Sequence, residues 1–422
     1  MANKIKVAVV GVGNCASSLI QGAQFYTDNP TNEIGLMYPE IGGYRASDLE
    51  FVVGFDIDVR KVNEPLKDAI FASPNCAMFV TNNLSNCGDA VVYRGPTFDG
   101  FAPHMKNYDD RITFIESNEP PISVEKYCEL LKTLKVDVLL NYLPVGSDEA
   151  SAWYIENAIK SGVHIVNCMP SYISTESQKK LEKLAIDNGV TLVGSDMRSA
   201  FGASRLSEII QGALLDSGLV VTQHIQMNMA AGSTQGDERG INGRSANTDF
   251  LNMAERYRLT NKHISKENVL RGQNDVRGAS VVGTTMYAGP SLTVVQKPGG
   301  VYQGSDNKIC NLDIIAYGFC NAKYELTARM SVQDSPNSGG IVLDAIRFCK
   351  VAHEMGILGY LRGCSAWTQK TPPVQMKTSD AKFECDALSR RVLTPMTTLQ
   401  LKENSPDPVN LSYSFQKSKT DY

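Results

Sequence analysis

The first half of the chain alternates short apolar segments rich in β-branched residues with longer segments of helical periodicity. The segments between the predicted strands include 151–162 and 177–189, which predict helices that each end at a glycine. Continuously apolar strands are typical of a parallel sheet that is covered on both faces. The alternation therefore predicts an α/β fold with a doubly wound parallel sheet. Its strands are predicted at residues 6–10, 51–55, 136–142, 164–167 and 191–193.

The pattern changes after residue 218. Longer β-rich segments follow with few helices between them, and they predict a second, open sheet. They read VVTQHIQMNMA, SLTVVQKPG, KICNLDIIAYGF and AKYELTARMSV. A strong helix is predicted at 339–356, and the remaining chain, which contains prolines, is predicted to be irregular. Segments rich in Pro, Gly and Asn at 26–48, and similarly at 88–122, predict insertions into the first domain.

Composition restricts the class of protein and its partners. Of the 422 residues, 42% are hydrophobic and 20% are charged, which is the balance of a globular protein. The net charge of -4 is too small to attract a polyanion, so we expect no nucleic-acid partner. No long apolar run or signal-peptide pattern is apparent, so we expect no membrane span. The ten cysteines are scattered without a metal-site spacing, which predicts reduced thiols and a cytoplasmic protein.

The first predicted strand leads directly into the sequence GVGNCASSLIQGA. Gly11, Gly13 and Ala16 occupy the glycine and alanine positions of a G-x-G-x-x-G/A dinucleotide-binding turn between a strand and a helix. Gly11 permits the tight turn, Gly13 lets the backbone approach a pyrophosphate, and Ala16 lets the helix pack on the sheet. Asn14 and Cys15 lie in the same turn and are predicted to contact the cofactor. The alternative is a tight turn in a domain that binds no nucleotide.

The second predicted strand ends in GFDID, where an acid would bind the hydroxyls of the adenosine ribose. Asp56 is better placed than Asp58 for this role, and an acid here favours NAD over NADP. Arg60 and Lys61 leave the NADP alternative open, since either cation could accept a 2′-phosphate.

Polar residues and prolines mark the ends of two further predicted strands. Asn141 and Pro144 fall in NYLPVGS, and Asn167 falls in VNCMP. Ligands of open parallel sheets bind at the carboxyl ends of the strands, so these three residues are predicted cofactor contacts. Ordinary turn chemistry explains them equally well.

A group of lysines and acids lies beside turns in the second half of the chain. Lys262 and Lys266 are four residues apart, so on a helix their ammonium groups share one face and repel each other. The pattern fits either a solvated face or a site for an anion. Lys308, Lys370 and Asp334 each stand next to residues that interrupt regular structure, where functional loops are often built.

Ten segments occur in the following order along the chain: GVGNCASSLIQG, FDIDVRKV, NYLPVGS, NCMP, GSDMRSAFGAS, NTDFLNM, KHISK, DNK, DSPNSGGIVLDA and SAWTQKTPP. Together they resemble the myo-inositol-1-phosphate synthase family in its shorter bacterial and archaeal form. The resemblance implies a Rossmann domain at 1–218 that binds NAD. It also implies a β-rich domain for catalysis and tetramer formation at 219–335, and C-terminal helices at 336–422 that return to the Rossmann domain. A homotetramer is therefore expected.

The resemblance also implies the reaction: glucose 6-phosphate is oxidised at C5, enolised, closed by an intramolecular aldol step and reduced by the same NADH, giving 1L-myo-inositol 1-phosphate. A divalent or monovalent cation is a possible further cofactor. By the same resemblance, phosphate would be bound by Lys266, Lys308 and the amides from Ser199 to Ser204, and the C5 and C1 oxygens would be acted on by Lys262 and Lys370. Asp306 and Asp334 would orient lysines. Substrate hydroxyls or a cation would be bound by Asp196, Asn247 and Asp249.

Three segments depart from the family pattern. Arg198 stands where the family usually has a lysine, the segment QGDERGINGRSA is lengthened, and the residues after 289–291 differ. A paralogous enzyme that forms another carbocycle from a sugar phosphate is therefore one alternative. A simple NAD-dependent dehydrogenase and a non-catalytic nucleotide-binding protein are the others.

Overall fold

The computed structural model describes residues 4–107, 110, 113–230, 261–262, 264–265, 268, 283–288 and 306–404. In chain order its strands and α-helices are β1 (Ile5–Val10), α1 (Asn14–Asp28), β2 (Leu49–Asp56), α2 (Leu66–Ala69), β3 (Val92–Arg94), α3 (Val124–Leu134), β4 (Val138–Asn141), α4 (Asp148–Lys160), β5 (His164–Asn167), α5 (Thr175–Asp187), β6 (Thr191–Val193), α6 (Ala203–Asp216), β7 (Val220–Ala230), β8 (Gly283–Ala288), β9 (Asn307–Tyr317), β10 (Lys323–Gln333), α7 (Asp334–Glu354), β11 (Gly359–Tyr360), α8 (Arg362–Thr368), α9 (Thr378–Ser389) and α10 (Pro395–Asn404).

A seven-stranded sheet forms the first domain, in the order β11-β6-β5-β4-β1-β2-β3, and all of its paired strands are parallel. This confirms the predicted α/β fold and all five predicted strands. The strand order reverses beside β1, because β1 pairs with both β2 and β4. Ligands of doubly wound sheets bind at such a reversal, outside the carboxyl ends of the strands.

Helices cover both faces of this sheet and bury its apolar side chains. One core contains residues of α1 and α7, and the other contains residues of α3, α4 and α5. The two predicted crossover helices, α4 and α5, are confirmed. Gly162 and Gly189 follow them with φ angles of 78° and 68°, a left-handed conformation that glycine adopts without a Cβ clash.

The second sheet has four strands in the order β10-β9-β7-β8. Strands β7, β9 and β10 pair antiparallel and were predicted, whereas β8 pairs parallel to β7 and was not. The apolar face of α6 packs on β9, where Leu206 and Ile210 contact the core around Cys310 and Leu312. The predicted strand SLTVVQKPG lies outside the described residues. The domain boundaries remain predictions.

The C-terminal part of the described chain differs from the pattern-based prediction. Helix α7 begins at Asp334, five residues before the predicted start, and the helices α8, α9 and α10 follow where an irregular segment was predicted. The prolines 372–373 interrupt the pattern, but α9 buries Ala381, Cys385 and Leu388 at a helical spacing. None of the helices in the described part of the chain is long and apolar enough to cross a bilayer.

Candidate active site

One cavity of about 1330 Å³, including space open to solvent, lies at the carboxyl edge of the parallel sheet. It brings together residues that the sequence predicted for two purposes. The cofactor group contributes Gly11, Gly13, Asn14, Cys15, Asp56 and Pro144, and the catalytic and substrate group contributes Lys262, Lys308, Asp334, Lys370 and Ser199. A dinucleotide and a small anionic substrate would therefore meet in the same space.

The glycine-rich turn leaves room for a ligand beside the N-terminus of α1. Gly11 has a φ of +86°, and a Cβ there would lie 2.6 Å from the carbonyl oxygen of Tyr142. Gly13, by contrast, has no atom within 4 Å of an ideal Cβ, although it lines the cavity. No side chain caps α1, and its first turn contains no acid. Helix N-termini of this kind bind phosphate groups, so the turn fits a pyrophosphate.

The acid at the end of β2 faces the same turn. Asp56 accepts hydrogen bonds from the amides of Val12, at 2.8 Å, and Ile57, at 2.7 Å, and it lines the cavity. Asp58 is fully buried and holds the guanidinium of Arg60 at 2.5 Å. Lys61 lines the cavity and donates to the carbonyl oxygen of Val12 at 2.7 Å. Of the two cations that left NADP open, Arg60 is thus bound to Asp58, and only Lys61 lines the cavity.

Two predicted cofactor contacts, Asn141 and Asn167, bind each other in the structure, and their role at the cofactor stays a prediction. The side chains of Asn141 and Asn167 are buried and hydrogen bond to each other at 3.0 Å. Asn141 also donates to Ser151, and Asn167 donates to Ser171. Neither asparagine is among the described residues that line the cavity. Their amides tie the ends of neighbouring strands together, because buried amides need partners and these strand ends supply them. Ala16 is fully buried, as its predicted packing role requires.

Two lysines share one buried carboxylate. Asp196 is fully buried, and its Oδ1 accepts from Lys262 Nζ at 2.6 Å and from Lys370 Nζ at 3.2 Å. Its Oδ2 accepts from the hydroxyl of Ser265 at 2.5 Å. Both carboxylate oxygens of Asp196 thus accept from protein groups, and its binding of substrate hydroxyls or a cation stays a prediction. Ser265, between the two lysines of KHISK, was missed by the sequence reasoning.

The charges in this cluster shift each other's protonation. Burial lowers the pKa of Lys370 to about 7, and the nearby Lys262 and Lys308 act in the same direction against the opposing effect of Asp196. Burial alone would raise the pKa of Asp196, but Lys262 and Lys370 outweigh it and hold that pKa below its ordinary value. Lys370 can therefore exchange a proton near neutral pH, while Asp196 stays charged.

A second ion pair stands at the start of α7. Lys308 Nζ lies 3.0 and 2.8 Å from the two carboxylate oxygens of Asp334, the first residue of α7, so Asp334 is placed to orient Lys308. Asp306 instead binds the helix itself: its carboxylate accepts from the amide of Ser335 at 2.7 Å. Asp306 thus binds the N-terminus of α7, and its predicted role of orienting a lysine stays a prediction. Burial, followed by the neighbouring Asp334, raises the pKa of Asp306 to about 7.

The predicted phosphate loop is only partly available. Ser199 lines the cavity, but the amides of Ala200 and Phe201 donate to the main-chain and side-chain oxygens of Asn337, at 2.8 and 2.9 Å. These two amides are used within the protein, and Asn337 was missed by the sequence reasoning. The predicted site residues Asn247, Asp249 and Lys266 lie outside the described residues.

The comparisons with known proteins agree with this arrangement. Residues 243–335 match the family model described as myo-inositol-1-phosphate synthase. The inositol-3-phosphate synthase of Mycolicibacterium smegmatis is 36% identical over 390 residues, which cover 91% of this chain and 98% of that protein. This chain belongs to the myo-inositol-1-phosphate synthase family. Another member, the inositol-3-phosphate synthase of Corynebacterium glutamicum, is 33% identical over 387 residues, which cover 91% of this chain and 97% of that protein.

Solved structures share the architecture of this family member. The crystal structure of Ari2 superimposes with a TM-score of 0.66 at 27% identity and covers 92% of this chain and 99% of that one. The inositol-3-phosphate synthase of Caenorhabditis elegans gives a TM-score of 0.63 at 14% identity, covering 96% of this chain and 89% of that one. At that identity the second likeness shows the fold alone.

Proposed function

We propose that this chain is an inositol-3-phosphate synthase that converts glucose 6-phosphate into 1L-myo-inositol 1-phosphate. The observation that carries the proposal is the single cavity in which a dinucleotide-binding turn faces Lys262, Lys308 and Lys370. The curated relatives with this activity in their names match the chain almost from end to end. The reaction needs a hydride carrier and several cations in one closed space, and the cavity supplies residues for both.

NAD is the proposed cofactor, and the residues present fit it. The turn from Gly11 to Ala16 and the N-terminus of α1 would hold the pyrophosphate, and Asp56 would accept from the ribose hydroxyls. When bound, NAD would supply a hydride acceptor at the start of the reaction and a hydride donor at its end. The open space beside Gly13 supports this assignment, because the backbone there can approach a ligand closely.

Lys262 and Lys370 would act on the oxygens of the sugar. An enolate and an alkoxide both develop negative charge, and buried cations stabilise such charge far better than water does. With a pKa of about 7, Lys370 can accept a proton from a hydroxyl and return it to an alkoxide. Asp196 would keep both amines on one side of the cavity, since it binds the two lysines at once.

Lys308 would hold the phosphate together with Lys266 and the amides of the 199–204 loop that Asn337 does not use. Asp334 fixes the position of Lys308, and a point cation with a fixed position suits a dianionic phosphate. A bound cation remains a prediction: within the described residues, no group of three or more His, Cys, Asp or Glu side chains is arranged to hold a metal ion.

The test is incubation of the purified protein with NAD and glucose 6-phosphate, followed by phosphorus NMR and by absorbance of NADH. We expect an inositol phosphate signal without accumulation of NADH. A simple dehydrogenase would instead produce NADH in proportion to the substrate consumed, and a binding protein would leave the sugar phosphate unchanged. Either result would overturn the proposal.

A homotetramer in a reducing compartment, the cytoplasm, completes the proposal. Among the described strands, β10 forms one edge of the second sheet, and it is exposed or only half-buried along its length, which suits a contact between subunits. The ten cysteines are scattered singly along the sequence, which is typical of proteins whose thiols stay reduced. Light scattering coupled to size-exclusion chromatography should give a mass near four times the 46.1 kDa of one chain.

A further inference from the structure

The short segment that carries Lys370 is paired with the segment that carries Asp196. The amide of Lys370 donates to the carbonyl of Asp196 at 2.7 Å, and Thr371 and Ser195 exchange two hydrogen bonds of 3.0 and 3.1 Å. Met197 forms an isolated antiparallel bridge with Gln369. The position of Lys370 in the cavity therefore depends on how firmly these two segments stay together.

Arg198 extends the pairing of these two segments to the residues that precede Lys370. Its amide donates to the carbonyl of Thr368 at 2.9 Å, and its Nε donates to the carbonyl of Gln369 at 2.8 Å. In return, the amine of Lys370 donates to the carbonyl of Met197, the residue before Arg198. Arg198 thus binds the two residues that precede Lys370, through both its main chain and its side chain.

A buried glutamate holds Arg198 in place. Glu208 Oε1 accepts from Arg198 Nη1 at 2.6 Å, and only 3% and 4% of the two side chains are exposed. The other carboxylate oxygen of Glu208 accepts from Arg205 at 3.3 Å and from the hydroxyl of Thr378 at 2.9 Å. The guanidinium of Arg205 lies 4.1 Å from the ring centre of Trp367. Each charge in this group is therefore fixed by helix α6 or by the segment around Lys370.

Only a guanidinium can make both side-chain contacts of Arg198. Its planar fork presents Nε towards one acceptor and Nη1 towards another, whereas the single nitrogen of a lysine reaches one of them. Loss of either contact leaves a buried carboxylate or carbonyl with one partner fewer, and buried polar groups without partners are unfavourable.

We propose that Arg198, held by Glu208, is a positioning residue that keeps the main chain of Lys370 in place, so that the Lys370 amine stays buried against Asp196. The proposal rests on the catalytic role given to Lys370 above. The charged groups that face this amine are Asp196, Lys262 and Lys308, and burial is the largest cause of its low pKa. A looser segment would admit water to the amine, which would raise the pKa of Lys370 and lower the fraction that is neutral at pH 7.

The experiment compares Arg198→Lys and Glu208→Gln with the unchanged protein. The acylation rate of Lys370 is followed by peptide mass spectrometry as a function of pH, and kcat and KM for glucose 6-phosphate are measured in parallel. For Arg198→Lys we expect the acylation midpoint to rise by about one pH unit. Since one unit is a tenfold change in the proton equilibrium, kcat should fall about fivefold at pH 7 and about tenfold at pH 6, with little change in KM.

Arg347→Lys is the matched control. Arg347 is also a buried arginine, held by Asp344 and by the carbonyl of Tyr38, but it lies on α7 away from the Lys370 segment. This variant should keep the acylation midpoint even if it melts at a lower temperature. NADH binding is the check that each variant is folded. If Arg198→Lys fails to bind NADH, Glu208→Gln provides the second test.

An unchanged midpoint and an unchanged kcat in a folded Arg198→Lys or Glu208→Gln variant would overturn the proposal. Acylation needs no turnover, so this result is distinct from a failure of the synthase assignment. If the unchanged protein makes no inositol phosphate while the midpoint still shifts in the variants, the positioning role stands and the assigned reaction does not.

Discussion

The two glycines of the cofactor turn should respond to the same substitution in opposite ways. At Gly13, φ is -104°, which an alanine adopts freely, and no atom lies within 4 Å of the new Cβ. Gly13→Ala should therefore fold normally and gain about 0.4–1 kcal/mol of stability, because the unfolded chain loses freedom. The same methyl group occupies space where the backbone should approach the pyrophosphate. Overpacking of about 1–3 kcal/mol would weaken NADH binding about 5- to 150-fold.

At Gly11 the cost appears in folding itself. An alanine at φ +86° adopts a left-handed conformation, and its Cβ would lie 2.6 Å from the backbone oxygen of Tyr142, which cannot turn away as a side chain can. The left-handed conformation costs about 1–2 kcal/mol, and the forced shift of the backbone adds about 1–3 kcal/mol. Gly11→Ala should therefore lower the free energy of unfolding by about 2–5 kcal/mol.

Both variants are compared by denaturant unfolding without cofactor and by titration with NADH, followed by its fluorescence. Gly13→Ala should unfold at slightly higher denaturant than the unchanged protein and bind NADH poorly, whereas Gly11→Ala should unfold at lower denaturant. Unchanged NADH affinity in Gly13→Ala would show that the space beside Gly13 is not the pyrophosphate site.

Four further predictions concern the charged cluster. Lys262→Ala and Lys370→Ala should each bind NADH normally and lose turnover, and normal turnover in either variant would remove that lysine from the mechanism. The kcat/KM of the unchanged protein should rise with pH through about 7, because the neutral form of Lys370 is the proposed proton acceptor; a flat profile between pH 6 and 8 would contradict this proposal. Asp196→Asn should move the midpoint of this pH profile to lower pH, since Asp196 raises the pKa of Lys370. A midpoint at higher pH would show that the charges of Asp196 and Lys370 are not coupled in this way. Asp306 has a folded pKa raised to about 7, so its favourable contribution to stability is present at low pH and is lost as the pH rises through 7. The melting temperature of Asp306→Asn should therefore exceed that of the unchanged protein by the largest amount above pH 7. An equal difference in melting temperature at pH 5 and pH 8.5 would argue against the raised pKa.

The local sequence was sufficient to predict the parallel sheet and the glycine-rich turn that follows its first strand. The five strands have continuous apolar segments, and Gly11, Gly13 and Asp56 stand in a fixed order relative to the first two strands. Such features depend on neighbours in sequence, so they can be read from a single chain. The start of α7 was placed too late because its first turns contain Ser, Pro and Gly, and because the carboxylate that binds the amide of Ser335 comes from Asp306, outside the helix.

The contacts within the site could not be predicted from the residues alone. Asp196 and Lys370 are 174 residues apart, and nothing in either local pattern shows that the carboxylate would hold the amine. Asn141 and Asn167 stood at the expected strand ends, but whether their amides face a ligand or each other depends on the register of β4 and β5. The resemblance to a family indicated which lysines belong to the site, whereas only the fold shows which carboxylates bind them.

The proposed reaction is an internal oxidation and reduction with no net change in the cofactor. The most direct test uses glucose 6-phosphate deuterated at C5, with NAD present and the product analysed by NMR. If the chain performs this reaction, the inositol phosphate retains the deuterium on one ring carbon and no reduced cofactor accumulates. Deuterium that collects in reduced cofactor, or a sugar phosphate that remains unchanged, would contradict it.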